Sequence, residues 1–416
     1  MGKSISANNW KRNAAIFIAG QFLSTFGSML VSFAITWHVT LQEQSGGLVA
    51  IFACASMLPM GLVTPFAGVL ADRYNRKYLV NISDAAIAAV TLIVAIAYFF
   101  GMRSIWFLLI TAIARSVGQG VQLPAARALI PQIVPKEHLT RFNGIQSTAN
   151  SLTNFAAPMV SGVLMTFLPI EYIFFVDVIT AAIGIATVFF FVTISGESDS
   201  RERKSGVKAY FQEIMEGLRF ALSQPWLKTL LIFNVGFNIL GSAAVMLPPL
   251  QVVRSFGDDV WRLTAIRIAY SVGMVSGGVI ISVWGGFKSK THTMIFAHML
   301  FGTTTVLFGV VSNFWIYLGI MAICGITSPL YNTPNTTLLQ TLIPSNMMGR
   351  VFSLVMMINS ITLPLGTAIF GPLGDVIKIE TLLIITGSLF LCCGFTMSRR
   401  REFMQAGKFE PVKKGD

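Results

Sequence analysis

The chain contains ten stretches of at least 18 residues without a charged side chain, and the longest extends from residue 291 to residue 349. A helix needs about 20 mostly apolar residues to cross a bilayer and accommodates almost no charge within them. Lipid offers no hydrogen-bond partner to a free backbone group, so stretches of this length predict membrane-spanning helices. A barrel is excluded, because its strands need only about 10 residues and alternate polar with apolar ones.

Composition leads to the same class of protein. Of all residues, 54% are apolar and 12% are charged, whereas a typical soluble domain has about 25% charged residues. This is too few charges to cover the surface of a soluble enzyme, and that class is excluded. The stretch 291–349 divides into two spans at Ser312-Asn313, and a further span, 104–126, is interrupted only by Arg115. The sequence therefore predicts an all-α membrane protein with twelve transmembrane helices in two six-helix bundles.

Lysine and arginine are distributed unevenly along the predicted spans. If the N-terminus is cytoplasmic, 24 of the 30 basic residues lie in cytoplasmic segments, five lie outside, and Arg115 lies within the membrane. Cytoplasmic loops of membrane proteins are rich in basic residues, so both termini are predicted to be cytoplasmic. The net charge of +12 then reflects basic loops that face anionic lipid headgroups, and nucleic-acid binding is excluded.

The longest polar stretch, residues 195–226, separates six predicted spans from six. It predicts an N-terminal six-helix bundle in residues 1–194, a cytoplasmic linker in residues 195–226, and a C-terminal six-helix bundle with a basic tail in residues 227–416. Apolar residues at helical spacing within the linker predict an amphipathic helix on the inner membrane surface. That helix is either a tether or a regulatory docking site. Its apolar positions are Val207, Tyr210, Phe211, Ile214, Met215, Leu218 and Leu222.

The two halves also resemble each other in sequence. Segments 133–141 and 342–350 each place an arginine six residues after a proline, and they are 209 residues apart. Each is followed by a predicted helix with an interior proline, Pro158 or Pro364. Because many membrane transporters are built from two repeats around a site near the middle of the bilayer, the pattern predicts a pseudo-two-fold repeat.

The loop between the second and third predicted spans carries an ordered motif. It reads Gly68-Val-Leu-Ala-Asp72-Arg73-Tyr-Asn-Arg76-Lys77 and is similar to the Gly-x-Leu-Ala-Asp-Arg-x-x-Arg-Lys loop of the major facilitator superfamily. A glycine permits close helix approach, an aspartate is attracted to the positive N-terminus of a neighbouring helix, and arginines bind carboxylates. The resemblance implies a cytoplasmic gate that latches the two bundles together.

Two further residues join this predicted gate. In the superfamily the partner of the loop is span 11, which begins here near Arg350. Asp84 lies within reach of the loop arginines or of Arg127 and is interpreted as support for the gate.

Shorter segments narrow the resemblance. Span 5 contains Pro158 and Gly162 in a segment similar to the Gly-Pro-x-x-Gly-Gly motif of superfamily antiporters, with alanines and a serine in place of several glycines. Span 11 contains Pro364 and Gly366, and these four residues are predicted to bend helices or occlude the path. The chain resembles the macrolide-efflux-like branch of drug:proton antiporters. The closer resemblance rests on Pro124-Ala125, Glu216-Gly217-Leu, Gly349-Arg350-Val-Phe-Ser-Leu and Leu363-Pro364-Leu-Gly366.

This resemblance covers essentially the whole chain and implies a multi-pass protein of the bacterial plasma membrane. It implies export of amphipathic, macrolide-like small molecules by proton antiport, with alternating access as one bundle rocks against the other. The expected partners are the substrate, protons and the lipid bilayer, and the chain is predicted to be a monomer. The proton gradient supplies the energy, so no cofactor, metal or enzymatic activity is expected.

Two alternatives remain open. A same-fold exporter of a siderophore or a lysolipid would use Arg115 to bind an acidic headgroup. A membrane receptor or enzyme is the second alternative, but the sequence has no metal-binding His-Glu-x-x-His, paired-cysteine or nucleotide-binding loop motif.

Resemblance to the superfamily also implies that spans 1, 4, 7 and 10 line the substrate cavity. These spans hold most of the polar residues within the membrane, and with apolar walls they suit a bulky amphipathic solute. Each polar residue either contacts substrate or forms a hydrogen bond to another helix. The cavity candidates are Gln21, Thr25, Gln119, Gln122, Asn234, Asn238, Tyr331, Asn332 and Asn335.

Ionisable residues within a membrane are costly and are usually paired. Asp177 lies at a depth from which Arg115 can reach it. The pair either takes part in proton coupling or permanently fixes spans 4 and 6. His38 is a third coupling candidate, because the charge of histidine changes near neutral pH.

Overall fold

The structure is a computed structural model that describes residues 9–135, 138–192 and 207–407. Within these residues all regular secondary structure is helical, as the long charge-free stretches predict.

Six long helices form the N-terminal part of the described chain. They are α1 (Asn9–Glu43), α2 (Gly46–Arg73), α3 (Arg76–Phe99), α4 (Ile105–Ile133), α5 (Leu139–Phe167) and α6 (Ile170–Phe191). Helices α3 and α6 begin before the charge-free stretches 85–102 and 178–196, because they include the buried residues Asp84 and Asp177.

Eight more helices follow, of which the first is the predicted amphipathic helix and the last is a short helix in the basic tail. They are α7 (Val207–Ser223), α8 (Pro225–Gln251), α9 (Val260–Trp284), α10 (Lys290–Phe308), α11 (Phe314–Leu342), α12 (Ser345–Val376), α13 (Ile379–Arg399) and α14 (Arg401–Ala406). A π-helical turn, Val252–Phe256, extends the end of α8.

Helix ends fall at residues that satisfy or terminate the backbone ladder. Asn75 caps α3 by accepting a hydrogen bond from the backbone N–H of Lys77 at 3.0 Å, and Asn313 caps α11 by accepting one from Trp315 at 2.9 Å. Gly285 ends α9 with a φ of 73°, a left-handed conformation that favours glycine. The division of the longest charge-free stretch at Asn313 is therefore correct.

Nine helices of the described chain are long and apolar enough to cross a membrane, namely α1, α2, α3, α6, α8, α9, α11, α12 and α13. Helices α4, α5 and α10 contain 29, 29 and 19 residues but carry more polar side chains. In α4 these include Arg115, and in α10 two histidines and five threonines.

The chain divides into two compact units that do not follow chain order completely. The first unit comprises Met1–Gln42 and Ala55–Tyr210, and the second comprises Glu43–Cys54 and Phe211–Asp416. The first turns of α2 thus belong to the second unit. Residues 193–206 of the predicted linker lie outside the described part of the chain.

The third long helix of each half has corresponding packing partners. In the first unit α3 packs against α4 and α6, and in the second unit α10 packs against α11 and α13. Helices α3 and α10 are the third long helices of their respective halves, so corresponding helices make corresponding contacts. The repeat that the sequence predicts is thus visible in the packing.

Helices α9 and α11 approach each other most closely at glycines. A Cβ atom on Gly273 would lie 1.9 Å from the backbone carbonyl oxygen of Ala322, and one on Gly325 would lie 2.1 Å from that of Tyr270. Only a residue without a side chain fits at either point, as is common where membrane helices pack.

Candidate functional site

A cavity of about 500 Å³ lies within the first unit, between α1, α4 and α5. Its polar residues include three that the sequence predicts for the substrate path. The cavity wall combines amide side chains with apolar ones and a single arginine. The lining residues are Ile18, Gln21, Phe22, Thr25, Gln122, Leu123, Ala126, Arg127, Ile130, Pro131, Leu139, Asn143, Gln146, Ser147, Ala149 and Asn150.

Helix α5 contributes polar lining residues that the sequence analysis missed. Asn143, Gln146 and Asn150 lie on one face of α5 because residues three and four apart share a face of a helix. A polar stripe on a helix in a charge-free stretch is a signal that the sequence contains. Gln119, one turn before Gln122 on α4, does not line this cavity.

Two glutamines connect the cavity to a buried carboxyl. The Gln122 side chain on α4 donates a hydrogen bond from Nε2 to Oε1 of Gln21 on α1 at 2.6 Å. Gln21 in turn donates from its Nε2 to Oδ2 of Asp84 on α3 at 3.4 Å. Asp84 is only 6% exposed. The structure therefore links Asp84, predicted as support for the gate, to the wall of the cavity.

Arg115 and Asp177 form an ion pair in the interior of the first unit. Arg115 Nη1 lies 2.5 Å from Asp177 Oδ2, and the two side chains are 4% and 0% exposed. Arg115 also donates to Oγ1 of Thr91 and to the backbone carbonyl of Ser28, each at 2.7 Å. The Ser28 hydroxyl donates to Asp177 Oδ1 at 3.3 Å. The pair that the sequence predicts thus joins helices α1, α3, α4 and α6.

His38 lies elsewhere in the first unit. Its ring centroid is 6.5 Å from that of Tyr98, and Tyr98 donates a hydrogen bond to the backbone carbonyl of Ser104 at 3.1 Å. The structure does not bring His38 together with the Arg115–Asp177 pair or with the cavity lining.

In the second unit, the predicted asparagines of α8 form a cluster with a residue of α12. Asn234 and Asn238 donate from their Nδ2 atoms to Oδ1 of Asn359 at 3.1 and 3.0 Å. Asn359 was not singled out from the sequence, although it is a polar residue in a charge-free stretch. These amides therefore join α8 to α12.

The predicted tyrosine and asparagines of α11 have different surroundings. The ring of Tyr331 stacks on Phe237 of α8 with a centroid distance of 4.9 Å, and its buried hydroxyl has no hydrogen-bond partner among the described residues. Asn332 donates to the hydroxyl of Ser328 at 3.3 Å. Oδ1 of Asn335 is buried and, within the described chain, also lacks a partner.

The predicted bending residues lie within helices. Pro158 lies within α5 and Pro364 within α12, and Gly162 is buried on α5. A Cβ atom on Gly366 would lie 2.5 Å from the backbone carbonyl oxygen of Ile239 on α8. Gly366 therefore marks a close approach of α12 and α8.

The predicted gate residues are described in part. The side chains of Asp72 and Arg73 and the surroundings of Gly68 lie outside the described part of the chain. Arg76 donates to the backbone carbonyl of Ala128 at 2.8 Å, and Lys77 donates to that of Val192 at 2.7 Å. These cations therefore hold the start of α3 to the ends of α4 and α6.

Arg350 binds the amphipathic helix. Its Nη1 atom lies 2.9 Å from Oε2 of Glu216 on α7. A Cβ atom on Gly217 would lie 2.7 Å from the backbone carbonyl oxygen of Arg350, so glycine allows α7 to approach α12. Two segments that carry the family resemblance, Glu216-Gly217 and Gly349-Arg350, are thus in contact.

A carboxylate that the sequence analysis missed binds the N-terminus of α2 within the second unit. Asp375, near the end of α12, accepts hydrogen bonds from the backbone N–H groups of Gly46 and Gly47, each at 2.7 Å, and from the hydroxyl of Ser45 at 2.9 Å. Arg254 lies 2.7 Å from the same carboxylate. A negative charge is stabilised at the positive end of a helix.

These features define a class of protein: a polytopic helical membrane protein built from two related halves, with buried charges and an amide-lined cavity. The chain belongs to the Major Facilitator Superfamily, whose sequence pattern matches residues 17–367. It is therefore a multi-pass membrane transporter rather than an enzyme.

Individual relatives are similar over nearly the full length. The chain is 27% identical to Macrolide efflux protein A of Streptococcus pyogenes over 387 residues, which cover 92% of this chain and 95% of that protein. It is 24% identical to the Staphyloferrin A transporter of Staphylococcus aureus over 387 residues, which cover 90% and 93%. A D-xylose-proton symporter of known structure superposes with a TM-score of 0.71 at 12% identity, covering 97% of this chain and all of that one. The last similarity shows the fold alone.

Proposed function

We propose that the protein is a secondary active transporter that exports amphipathic small molecules in exchange for protons, by alternating access. The observation that carries this proposal is the composition of the cavity in the first unit. Its wall presents amide groups on α1, α4 and α5 among apolar side chains such as Phe22 and Leu123. Its volume of about 500 Å³ lies within the range of about 300–1,000 Å³ that holds drug-sized ligands.

The charge of the cavity lining restricts the substrate class. Arg127 is the charged residue among the described lining residues, which include no carboxylate. Neutral amides both donate and accept hydrogen bonds, so the wall suits hydroxyl, carbonyl and amine groups on a largely apolar body. Macrolide-like drugs have this character, and the similarity to a protein named for macrolide efflux supports the same substrate class and a role in antibiotic resistance.

The proposal includes a topology. We propose that α4, α5 and α10 cross the membrane together with the nine more apolar helices, which makes twelve spans. The distribution of basic residues supports cytoplasmic termini in a bacterial plasma membrane. The proposed transporter acts as a monomer with bundles 1–194 and 227–416, which the linker 195–226 joins.

The roles of the gate and the coupling candidates also belong to the proposal. The motif from Gly68 to Lys77, with Arg350, is proposed to close the cytoplasmic side. From the sequence, Arg115 and Asp177 are interpreted either as a proton-coupling pair or as a permanent connection between helices. Their several hydrogen bonds support the permanent connection. His38 is then a structural residue.

Transport of a labelled drug tests this function. The macrolide erythromycin is added to inverted membrane vesicles that contain the protein and have an acidic interior. The proposal predicts accumulation of the drug in the vesicles, and its collapse when a protonophore removes the pH difference. Accumulation equal to that of vesicles without the protein would refute drug export, whereas accumulation that the protonophore leaves intact would refute proton antiport.

Siderophore export is a second candidate function, because the chain is also similar to a protein named as a staphyloferrin A transporter. A siderophore exporter is expected from the sequence to bind the acidic group of its substrate with Arg115, but in the structure Arg115 binds Asp177. Arg127 in the cavity wall would instead bind a carboxylate of the siderophore. This function predicts that a carboxylate siderophore inhibits erythromycin transport by the wild-type protein. An Arg127→Gln variant should still transport erythromycin but should no longer be inhibited by the siderophore.

A further inference from the structure

Asp84 is a buried carboxyl group whose charge no described residue neutralises. It is 6% exposed, and its hydrogen bond from Gln21 is long, at 3.4 Å. Within the described chain it forms no salt bridge, whereas the buried carboxylates of Asp177 and Glu171 each bind an arginine. Ionisable groups inside membrane helices are retained where they serve proton or ion movement. Asp84 therefore has the surroundings of a group that binds and releases a proton.

Within the described chain, no charged group on the helices around Asp84 forms a salt bridge with it. Arg115 of α4 and Asp177 of α6 bind each other. Arg127 of α4 lines the cavity. Helix α1 contributes the uncharged amide of Gln21. Among the described residues no cation binds Asp84, so a proton is the available means of neutralising it.

An amide beside Asp84 on α3 is also unsatisfied. Asn81, one helical turn earlier, is 6% exposed, and neither its Oδ1 nor its Nδ2 atom has a hydrogen-bond partner among the described residues. A buried polar group without a partner is energetically costly, and such groups need an explanation. Two neighbouring polar residues of α3, Asn81 and Asp84, thus have few hydrogen bonds to the other described residues.

The hydrogen bonds that connect Asp84 to the cavity run through Gln21 and Gln122, and which group donates in each bond depends on whether Asp84 is protonated. With Asp84 ionised, Nε2 of Gln21 donates to it, and Oε1 of Gln21 accepts from Nε2 of Gln122. The Oε1 atom of Gln122 then has no donor among the described residues and is available as an acceptor. A protonated Asp84 also carries an O–H donor. When this O–H is directed at Gln21, the amide of Gln21 turns and presents Oε1 to Asp84 and Nε2 to Gln122. Gln122 must then turn in the same way and keeps a free donor instead of a free acceptor.

We propose that Asp84 binds the proton that is exchanged for substrate, and that Gln21 and Gln122 transmit its protonation state to the cavity. This proposal rests on proton antiport as the proposed function. A substrate ammonium group binds to Gln122 as an acceptor, which requires that Gln21 donates to residue 84, as it does to the ionised carboxylate. Substrate and proton therefore exclude each other. One O–H bond forms on Asp84 with a proton from water on the acidic side and breaks with release to water on the other side, without any redox step.

An Asp84→Asn variant tests the assignment in proteoliposomes, with erythromycin as the probe. Two processes are measured: accumulation driven by a pH difference, and counterflow, in which labelled drug exchanges for unlabelled drug without a pH difference. A one-for-one electroneutral exchange supports about a tenfold accumulation per pH unit. Ser83→Ala changes a neighbouring residue that is equally buried and serves as the matched control.

The Oδ1 atom of an asparagine accepts the hydrogen bond from Gln21 as the ionised carboxylate does, but an asparagine cannot bind and release the proton. For Asp84→Asn we therefore expect loss of proton-driven accumulation to the level of protein-free liposomes, with counterflow within about twofold of wild type. Ser83→Ala keeps both processes. If Asp84→Asn also keeps both, Asp84 is not the proton site, and if it loses both, its role is in binding or folding, which likewise overturns the proposal. Wild-type protein that shows counterflow without proton-driven accumulation would instead refute the proposed antiport itself.

A second variant tests the assignment to Asp84 in case the Asp84→Asn protein cannot be purified in a monodisperse form. Asp84→Glu keeps a titratable carboxyl but moves it by one methylene group. We expect it to retain proton-driven accumulation with a shifted midpoint in the pH profile of transport. An unchanged midpoint would show that another group titrates, and would overturn the assignment to Asp84.

Discussion

Removal of the Asp177 carboxylate tests whether the Arg115–Asp177 pair is a permanent structural connection. In an Asp177→Asn variant, Arg115 remains buried without a counter-charge, although it keeps the hydroxyl of Thr91 and the backbone carbonyl of Ser28 as acceptors. Breaking a buried ion pair on one side costs about 3–5 kcal/mol, whereas replacing both partners by apolar residues of similar volume is often neutral. The double variant Arg115→Met/Asp177→Leu should therefore be close to wild type in stability.

Thermal unfolding of purified protein in detergent measures both effects. For a unit of about 200 residues, each kcal/mol changes the melting temperature by about 2–4 °C, so Asp177→Asn should lower it by about 6–20 °C. The double variant should melt within a few degrees of wild type and should keep proton-driven accumulation of erythromycin. A double variant that is stable and performs counterflow but has lost proton-driven accumulation would refute the structural role and assign coupling to the pair.

Three further changes address the cavity, the cap on α2 and the packing of α9 against α11. Gln122→Leu removes a hydrogen-bonding group from the cavity wall and should raise the KM for erythromycin in counterflow by about five- to tenfold, since a hydrogen bond contributes about 1 kcal/mol. Asp375→Asn removes the charge that binds Arg254 and the N-terminus of α2, and should reduce the free energy of unfolding by about 1 kcal/mol, measured by thermal unfolding. Gly273→Leu forces a side chain against the carbonyl of Ala322 and should cost about 3 kcal/mol in the same assay.

Each of these variants has a matched control. Gln119→Leu makes the same change on α4 outside the cavity lining, and an equal rise in KM there would remove Gln122 from the site. Gly278 lies on the same helix as Gly273, but a Cβ atom on it would meet nothing within 4 Å, so Gly278→Leu should be tolerated. Asp259→Asn breaks a more exposed pair, and a loss as large as that of Asp375→Asn would contradict the capping argument.

The spanning helices and the repeat of this fold could be predicted from local patterns in the sequence. Absence of charge over long stretches predicts helices such as α11 and α12, because the energetic cost of charge in lipid acts on every residue of a span. The Pro-to-Arg spacing in segments 133–141 and 342–350 predicts the repeat that is visible in helix packing. Asn313, a strong N-cap residue, correctly divides the longest stretch.

The site was predictable only where a residue differs from its own surroundings. Arg115 and Asp177 are charges in apolar segments, and their depths along two helices predict that they meet. Asp375 lies at the end of a span, where charges are common, so its contact with Gly46 depends on a tertiary arrangement that no local pattern encodes. The partner of Asp84 was likewise not apparent, because the sequence indicates several nearby arginines, while the fold places Gln21 against it.

Proton movement measured during drug addition tests the central claim most directly. Inverted vesicles that contain the protein and a pH-sensitive dye are given an acidic interior, and erythromycin, cationic dyes and other amphipathic compounds are added one at a time. Drug:proton exchange predicts that transported compounds make the interior less acidic at a rate that depends on the protein. Transport of labelled drug without any protein-dependent change in interior pH, across the whole panel, would contradict proton antiport.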